Sequence, residues 1–130
     1  MVNGLEPGQT IELKITPDPF VTVRYAGASG DFNPIHIDEE FAKQVGLPGR
    51  ILHGLWTMAQ VARAHTEAAG GPERLKALSV QFRGMGRMGE EIVVAGTVRE
   101  VNGEVAIVDS NAVQAGQRII RNAVAEVSTR

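Results

Sequence analysis

Apolar and polar positions alternate over Ile11-Glu12-Leu13-Lys14-Ile15, the two-residue period of a half-buried strand. Thr16-Pro17-Asp18-Pro19 breaks that run. The segment Phe20 to Ala28 is mixed. Its Val and Thr favour a strand, whereas an acidic cap and Pro19 at a first turn favour a short helix, the expectation adopted here. Asp38 to Val45 predicts a second short helix, acidic at its N-terminus and closed by Gly46. From about His53 to Ala69 the pattern is that of the main helix, with Leu55, Met58, Ala59, Val61, Ala62 and Ala64 and few charges. A helix so apolar on most sides is expected to be wrapped by other structure.

After Gly70-Gly71-Pro72 the pattern changes. Leu78 to Phe82, Glu91 to Val101, Glu104 to Val113 and Arg118 to Val127 are rich in Val and Ile and read as strands. Gly84 to Gly89, Asn102-Gly103 and Ala115-Gly116-Gln117 separate them. Asn102-Gly103 between two such runs predicts a type I′ hairpin. One strand, then helices, then an antiparallel run of four strands predicts an α+β fold with one long helix packed on a sheet.

Composition narrows the picture. A chain of 130 residues, 43% of them hydrophobic, reads as one domain over 1–130. It can bury about two-thirds of its unfolded surface, enough for one core. Without cysteine there is no disulfide scaffold, thiolate metal site or Cys nucleophile, and a reducing compartment fits. Thirteen Lys and Arg against fifteen Asp and Glu, with few aromatic residues, argue against a nucleic-acid partner. Met1-Val2-Asn3-Gly4 lacks the basic start and apolar stretch of a secretory signal. No apolar run approaches the ~20 residues that span a bilayer. The expectation is a cytoplasmic chain with no membrane partner.

Reactive groups concentrate in Tyr25-Ala26-Gly27-Ala28-Ser29-Gly30-Asp31-Phe32-Asn33-Pro34-Ile35-His36. Asp31 and His36 are five apart with a proline between them, which rules out a shared helix face, but a bent loop could aim both groups at one point. A carboxylate and an imidazole offer a base and an acid near neutrality and suit activation of a water molecule. Asn33 could orient either group, and Ser29 could donate to the carboxylate. The competing reading is structural, because an Asp before Asn-Pro also makes an Asx-turn or helix cap. The three histidines, His36, His53 and His65, lack metal-ligand spacing, so no metal is expected. Ser29 lacks a G-x-S-x-G context for a nucleophile, and no glycine run forms a phosphate loop. A second candidate is Ile51-Leu52-His53-Gly54-Leu55, where the main helix begins and Gly54 is the residue of interest. There a backbone N–H could stabilise a developing oxyanion, or the glycine could simply permit the turn.

Tyr25 through His36, followed by Ala42, resembles the hydratase signature of the MaoC-like (R)-specific enoyl-CoA hydratases and (3R)-hydroxyacyl-ACP dehydratases. Ser29-Gly30-Asp31-x-Asn33-Pro34-x-His36 is the specific portion, joined by Gly46-Leu47-Pro48-Gly49 and His53-Gly54. The chain departs from the pattern at Ala28 and at Ile51-Leu52, neither of which carries a reactive group. The resemblance extends over nearly the whole chain and implies a single hot-dog fold, an antiparallel sheet around one central helix. It implies catalytic roles for Asp31 and His36, an oxyanion-binding role for Gly54 and supporting roles for Asn33 and Ser29. The substrate it implies is a trans-2-enoyl thioester on coenzyme A or acyl carrier protein, with no further cofactor. The partner it implies is a second copy or a related hot-dog chain.

Two other readings remain open at this point: a hot-dog acyl-CoA thioesterase, and a non-catalytic partner subunit of a hydratase. Trp56, Met58, Met85 and Met88 are candidates for an acyl pocket, with core packing the more ordinary role. Arg50, Arg83 and Arg87 could meet coenzyme A phosphates, although scattered arginines are more often solvated surface charges.

Overall fold

The computed structural model describes residues 5–129. Met1-Val2-Asn3-Gly4, read above for a secretory signal, and Arg130 lie outside the described residues. Five strands form one sheet: β1 (Thr10–Ile15), β2 (Leu75–Phe82), β3 (Ile92–Asn102), β4 (Val105–Gln114) and β5 (Gln117–Ser128). The order is β1-β3-β4-β5-β2, and every neighbouring pair is antiparallel. Between β1 and β2 lie α1 (Val21–Ser29), α2 (Pro34–Ile37), α3 (Glu39–Gln44), α4 (Gly54–Ala69) and a 3-10 turn at Pro72–Arg74.

Strand periodicity turns one face of the sheet onto α4. Along β4, Ala106, Val108, Ser110, Ala112 and Gln114 are buried, alternating with the partly exposed Val105, Ile107, Asp109, Asn111 and Val113. Val94 and Val98 of β3 and Ala123, Ala125 and Val127 of β5 join the same core, facing Val61, Ala64 and Ala69 of α4. Alanines in the middle of the sheet let the helix approach closely, and α4 contacts all five strands. Burying a side chain such as Val61 contributes roughly 1.5–3 kcal/mol. No helix among the described residues is long and apolar enough to cross a membrane.

The helices expected near Phe20 and Asp38 are present. In α1, however, Pro19 precedes the helix instead of sitting in its first turn. Asp18 accepts the Phe20 N–H at 2.7 Å and pairs with Arg24. Asp38 caps α3 by accepting the Phe41 N–H at 3.0 Å. The short helix α2 escaped the pattern because four residues are too few for a period; Asn33 caps it and Pro34 occupies its first turn.

The sheet differs from the expected run in two respects. β2 begins at Leu75, before the predicted Leu78, and lies beside β5 rather than β3. The connection 83–89 is therefore a crossing segment, not a hairpin. The buried Gln114 side chain holds it, accepting the Arg87 N–H and donating to the Arg87 and Glu90 carbonyls. This segment also accepts the Leu52 N–H through Gly86 O at 2.8 Å, which steadies the approach to α4.

The expected type I′ turn at Asn102-Gly103 is displaced. Asn102 pairs with Val105, so the turn residues are Gly103 and Glu104, and only Gly103 has positive φ, at 63°. Glycine first with a positive φ is the type II′ pattern. The type I′ pattern instead falls at Ala115-Gly116, with φ of 51° and 76°. An L-residue pays conformational energy there that Asn largely avoids. Ala115→Asn is expected to raise stability by about 0.5–1 kcal/mol, read as a higher urea midpoint at unchanged slope.

His65 is buried in α4, its Nδ1–H donating to Val61 O at 2.7 Å while Nε2 has no protein partner. Burial pushes its pKa down. The unfolded chain therefore binds the proton more readily, so this stabilisation is complete above about pH 6.5 and is lost as pH falls toward the folded value. His65→Leu is expected to flatten the acid-side fall of the melting temperature relative to wild type. Parallel curves would remove His65 as the source.

Candidate active site

The loop between α1 and α2 is built from its own turn chemistry. Gly30 ends α1 in the left-handed region at φ 79°, its N–H bonded to Ala26 O at 2.9 Å. Ser29 Oγ donates to Tyr25 O at 2.7 Å and accepts the Asp31 N–H at 3.1 Å. Its hydroxyl is thus spent on backbone, and the expected donation to the Asp31 carboxylate is not made. Asp31 Oδ1 accepts the Asn33 N–H at 3.2 Å, and Asn33 Oδ1 accepts the Ile35 N–H at 3.3 Å. The Asn33 side chain therefore shapes the loop as a helix cap, and only the Asn33 backbone N–H reaches the carboxylate.

The structural and chemical readings of Asp31 coexist. One carboxylate oxygen makes the Asx-turn, and the other, Oδ2, lies 4.0 Å from His36 Nε2. That separation is too long for a direct hydrogen bond and leaves room for a bridging water. The Asp31 side chain is 52% exposed, whereas His36 is buried in α2. His36 Nδ1 lies 2.8 Å from Ile51 O, and the Ile51 N–H returns to Ile35 O at 3.1 Å. A carbonyl only accepts, so Nδ1 carries a proton, and Nε2 is the nitrogen turned toward Asp31.

Gly54 is the first residue of α4, so its N–H is among those the helix cannot satisfy internally. It lines a cavity of about 320 Å³ with Tyr25, Ser29, Asp31, His53, Leu55 and Phe82. Asp31 and Gly54 therefore face one space, and His36 stands behind it, stacked on His53 with ring centroids 3.8 Å apart. Tyr25, His53 and Leu55 lay within the two quoted candidate segments without a role of their own; Phe82, from the end of β2, had no local signal and was missed. Trp56, Met58 and Met88 pack against the core instead. Arg50 bonds Thr22 and Pro19 O, and Arg83 and Arg87 line a separate groove beside Pro48 and Gln114.

Two of the three histidines are thus brought together. Asp31, His36 and His53 each place one ligand-type atom within 4.8 Å of the others. Each ring gives one nitrogen to a backbone carbonyl, since His53 Nε2 lies 3.0 Å from Asp31 O, and keeps the other for a further partner. The arrangement suits proton movement.

A helix in contact with every strand of one antiparallel sheet is the hot-dog architecture, and the Asp–His pair lies beside the N-terminus of that helix. Residues 2–122 match the MaoC like domain family, and the chain belongs to it. It is 42% identical over 79 residues to a fatty acid synthase subunit beta of Aspergillus oryzae, covering 58% of this chain and 4% of that protein. Over 122 residues it is 30% identical to a peroxisomal hydratase-dehydrogenase-epimerase of Neurospora crassa, covering 94% of this chain and 13% of the relative. The chain therefore spans a small fraction of these curated relatives. A solved MaoC-like dehydratase superposes with a TM-score of 0.90 at 28% identity, covering 97% of this chain and 41% of that one.

The cavity wall yields a direct test. A Cβ on Gly54 would lie 3.3 Å from a ring carbon of Phe82, tighter than ordinary contact. Gly54→Val is expected to cost about 1–3 kcal/mol, and Phe82→Ala in the same chain to recover part of it. Additive effects in a urea-unfolding cycle would show that the two residues do not meet.

Proposed function

We propose that this chain hydrates trans-2-enoyl thioesters to (3R)-hydroxyacyl thioesters and dehydrates them in reverse. The observation that carries this reading is the 4.0 Å gap between Asp31 Oδ2 and His36 Nε2 beside a cavity lined by Gly54. Water held in that gap adds its oxygen to C3, while the C2–C3 electron pair moves toward the thioester carbonyl. The Gly54 N–H stabilises the oxygen as enolate character develops. A proton leaves the water for the Asp31–His36 pair, and a proton returns from the pair to C2, so the sum is addition of one water. His36 Nε2 is the nitrogen available for that transfer. The pair is described as a unit because coupled groups share their titration.

Support comes from membership of the MaoC like domain family and from a hydratase-containing relative in Neurospora crassa. The (3R) outcome rests on the resemblance of the Ser29 to His36 motif to (R)-specific enzymes. The substrate handle is coenzyme A or acyl carrier protein, and the chemistry requires no metal or redox group. The partner is a second copy of this chain or a related hot-dog chain. In support, β2 is an edge strand, and Phe82 at its end and Leu55 are 47% and 63% exposed beside the cavity.

Crotonyl-CoA tests the reaction. Loss of the enone absorbance with formation of the (3R) alcohol is expected, whereas release of free thiol would identify a thioesterase. Asp31→Asn keeps an oxygen for the Asn33 N–H but removes the carboxylate. It should lower kcat/KM by about 10²–10⁴-fold with an unchanged melting temperature. Wild-type turnover in that variant would overturn the assignment.

A further inference from the structure

His53 is the most connected side chain at the site, although it stands outside the reacting pair. It is 2% exposed and makes three different links. Its Nε2 lies 3.0 Å from the backbone oxygen of Asp31, so Nε2–H donates to the loop that carries the carboxylate. Its ring stacks on His36 with centroids 3.8 Å apart and planes 22° from parallel. Its own carbonyl accepts the Thr57 N–H at 3.2 Å, and the next residue is Gly54, so it is also the N-cap of α4. Tyr25 closes the other side, its ring 4.7 Å away and tilted by 55°.

We propose that His53 is a positioning residue, whose imidazole ties the Asp31 loop to His36 from the residue that immediately precedes the Gly54 N–H. This rests on the reading of Asp31 and His36 as the reacting pair. Nε2–H donates to Asp31 O, whereas the buried Nδ1 has no hydrogen-bond partner among the described residues. The ring faces His36 and Tyr25, and a carboxylate oxygen of Asp31 lies within 4.8 Å of one of its nitrogens.

Three variants separate the links. His53→Phe keeps a ring against His36 and loses the donor to Asp31 O. His53→Gln keeps an amide donor and loses the ring. His53→Ala loses both, and the first two carry the test if it fails to fold. In variants that fold, kcat is expected to fall by about 10–100-fold with little change in KM, the signature of misplaced reacting groups. His53→Ala should be the most impaired, and Phe and Gln should each recover part of the loss.

Nitrogen-15 NMR of the histidine rings supplies a readout that does not need activity. The His36 titration is expected to move by at least about half a unit in His53→Ala, a displacement a merely space-filling residue would not cause. Folded His53→Phe and His53→Gln variants with wild-type kcat and unchanged His36 titration would overturn the proposal. A wild-type chain that hydrates no enoyl thioester would overturn the proposed reaction alone, because the NMR comparison still decides whether His53 positions His36.

Discussion

Val61, Ala64 and Ala69 are sealed against Val94, Val108, Ala125 and Val127, and this burial of α4 on the inner face of the sheet holds its first turn in place. A helix anchored along its inner face cannot slide without exposing apolar surface or driving side chains into the close-packed sheet. Its unsatisfied N-terminal N–H groups are consequently presented at one fixed point. The site is assembled around that point, with Gly54 supplying the N–H and His53, immediately before it, reaching both Asp31 and His36.

The second requirement is a loop that can hold a partly exposed carboxylate without collapsing. Ser29, Asp31 and Asn33 each use a side-chain oxygen to accept a nearby backbone N–H. Local hydrogen bonds of this kind replace the ladder that a strand or helix would supply. Asp31 has two oxygens, so it serves the turn with one and faces His36 with the other. His36 is held from behind by Ile51 O, which fixes the tautomer as well as the ring. The geometry for moving a proton is thus made from bonds whose first effect is to shape the backbone.

Much of this was legible along the chain because the signals were local and periodic. The α4 span, the helix capped by Asp38 and the Val-rich strands follow from spacing and capping chemistry. The Ser29 to His36 motif marked the loop that faces the cavity beside Gly54. Apart from the four-residue α2, what escaped depended on distant residues. Asn102-Gly103 signalled a type I′ turn, yet the register of β3 on β4 moved the turn by one residue and gave that geometry to Ala115-Gly116. β2 was read as the start of a run of neighbours, yet Gln114 pins the 83–89 segment so that β2 lies across the sheet beside β5.

The sequence by itself determined most of the elements and the loop that carries Asp31 and His36, since these depend on residues near one another, and the resemblance of its motif pointed to the hot-dog class. Only the tertiary structure decided that His53 is stacked on His36 and bonded to the Asp31 loop, and that Phe82 comes from the end of β2 to line the cavity beside Gly54. The reason is physical. Stacking and cavity walls are made between segments far apart in the chain, and their geometry is set by the packing of α4 against the sheet, which local propensity does not encode.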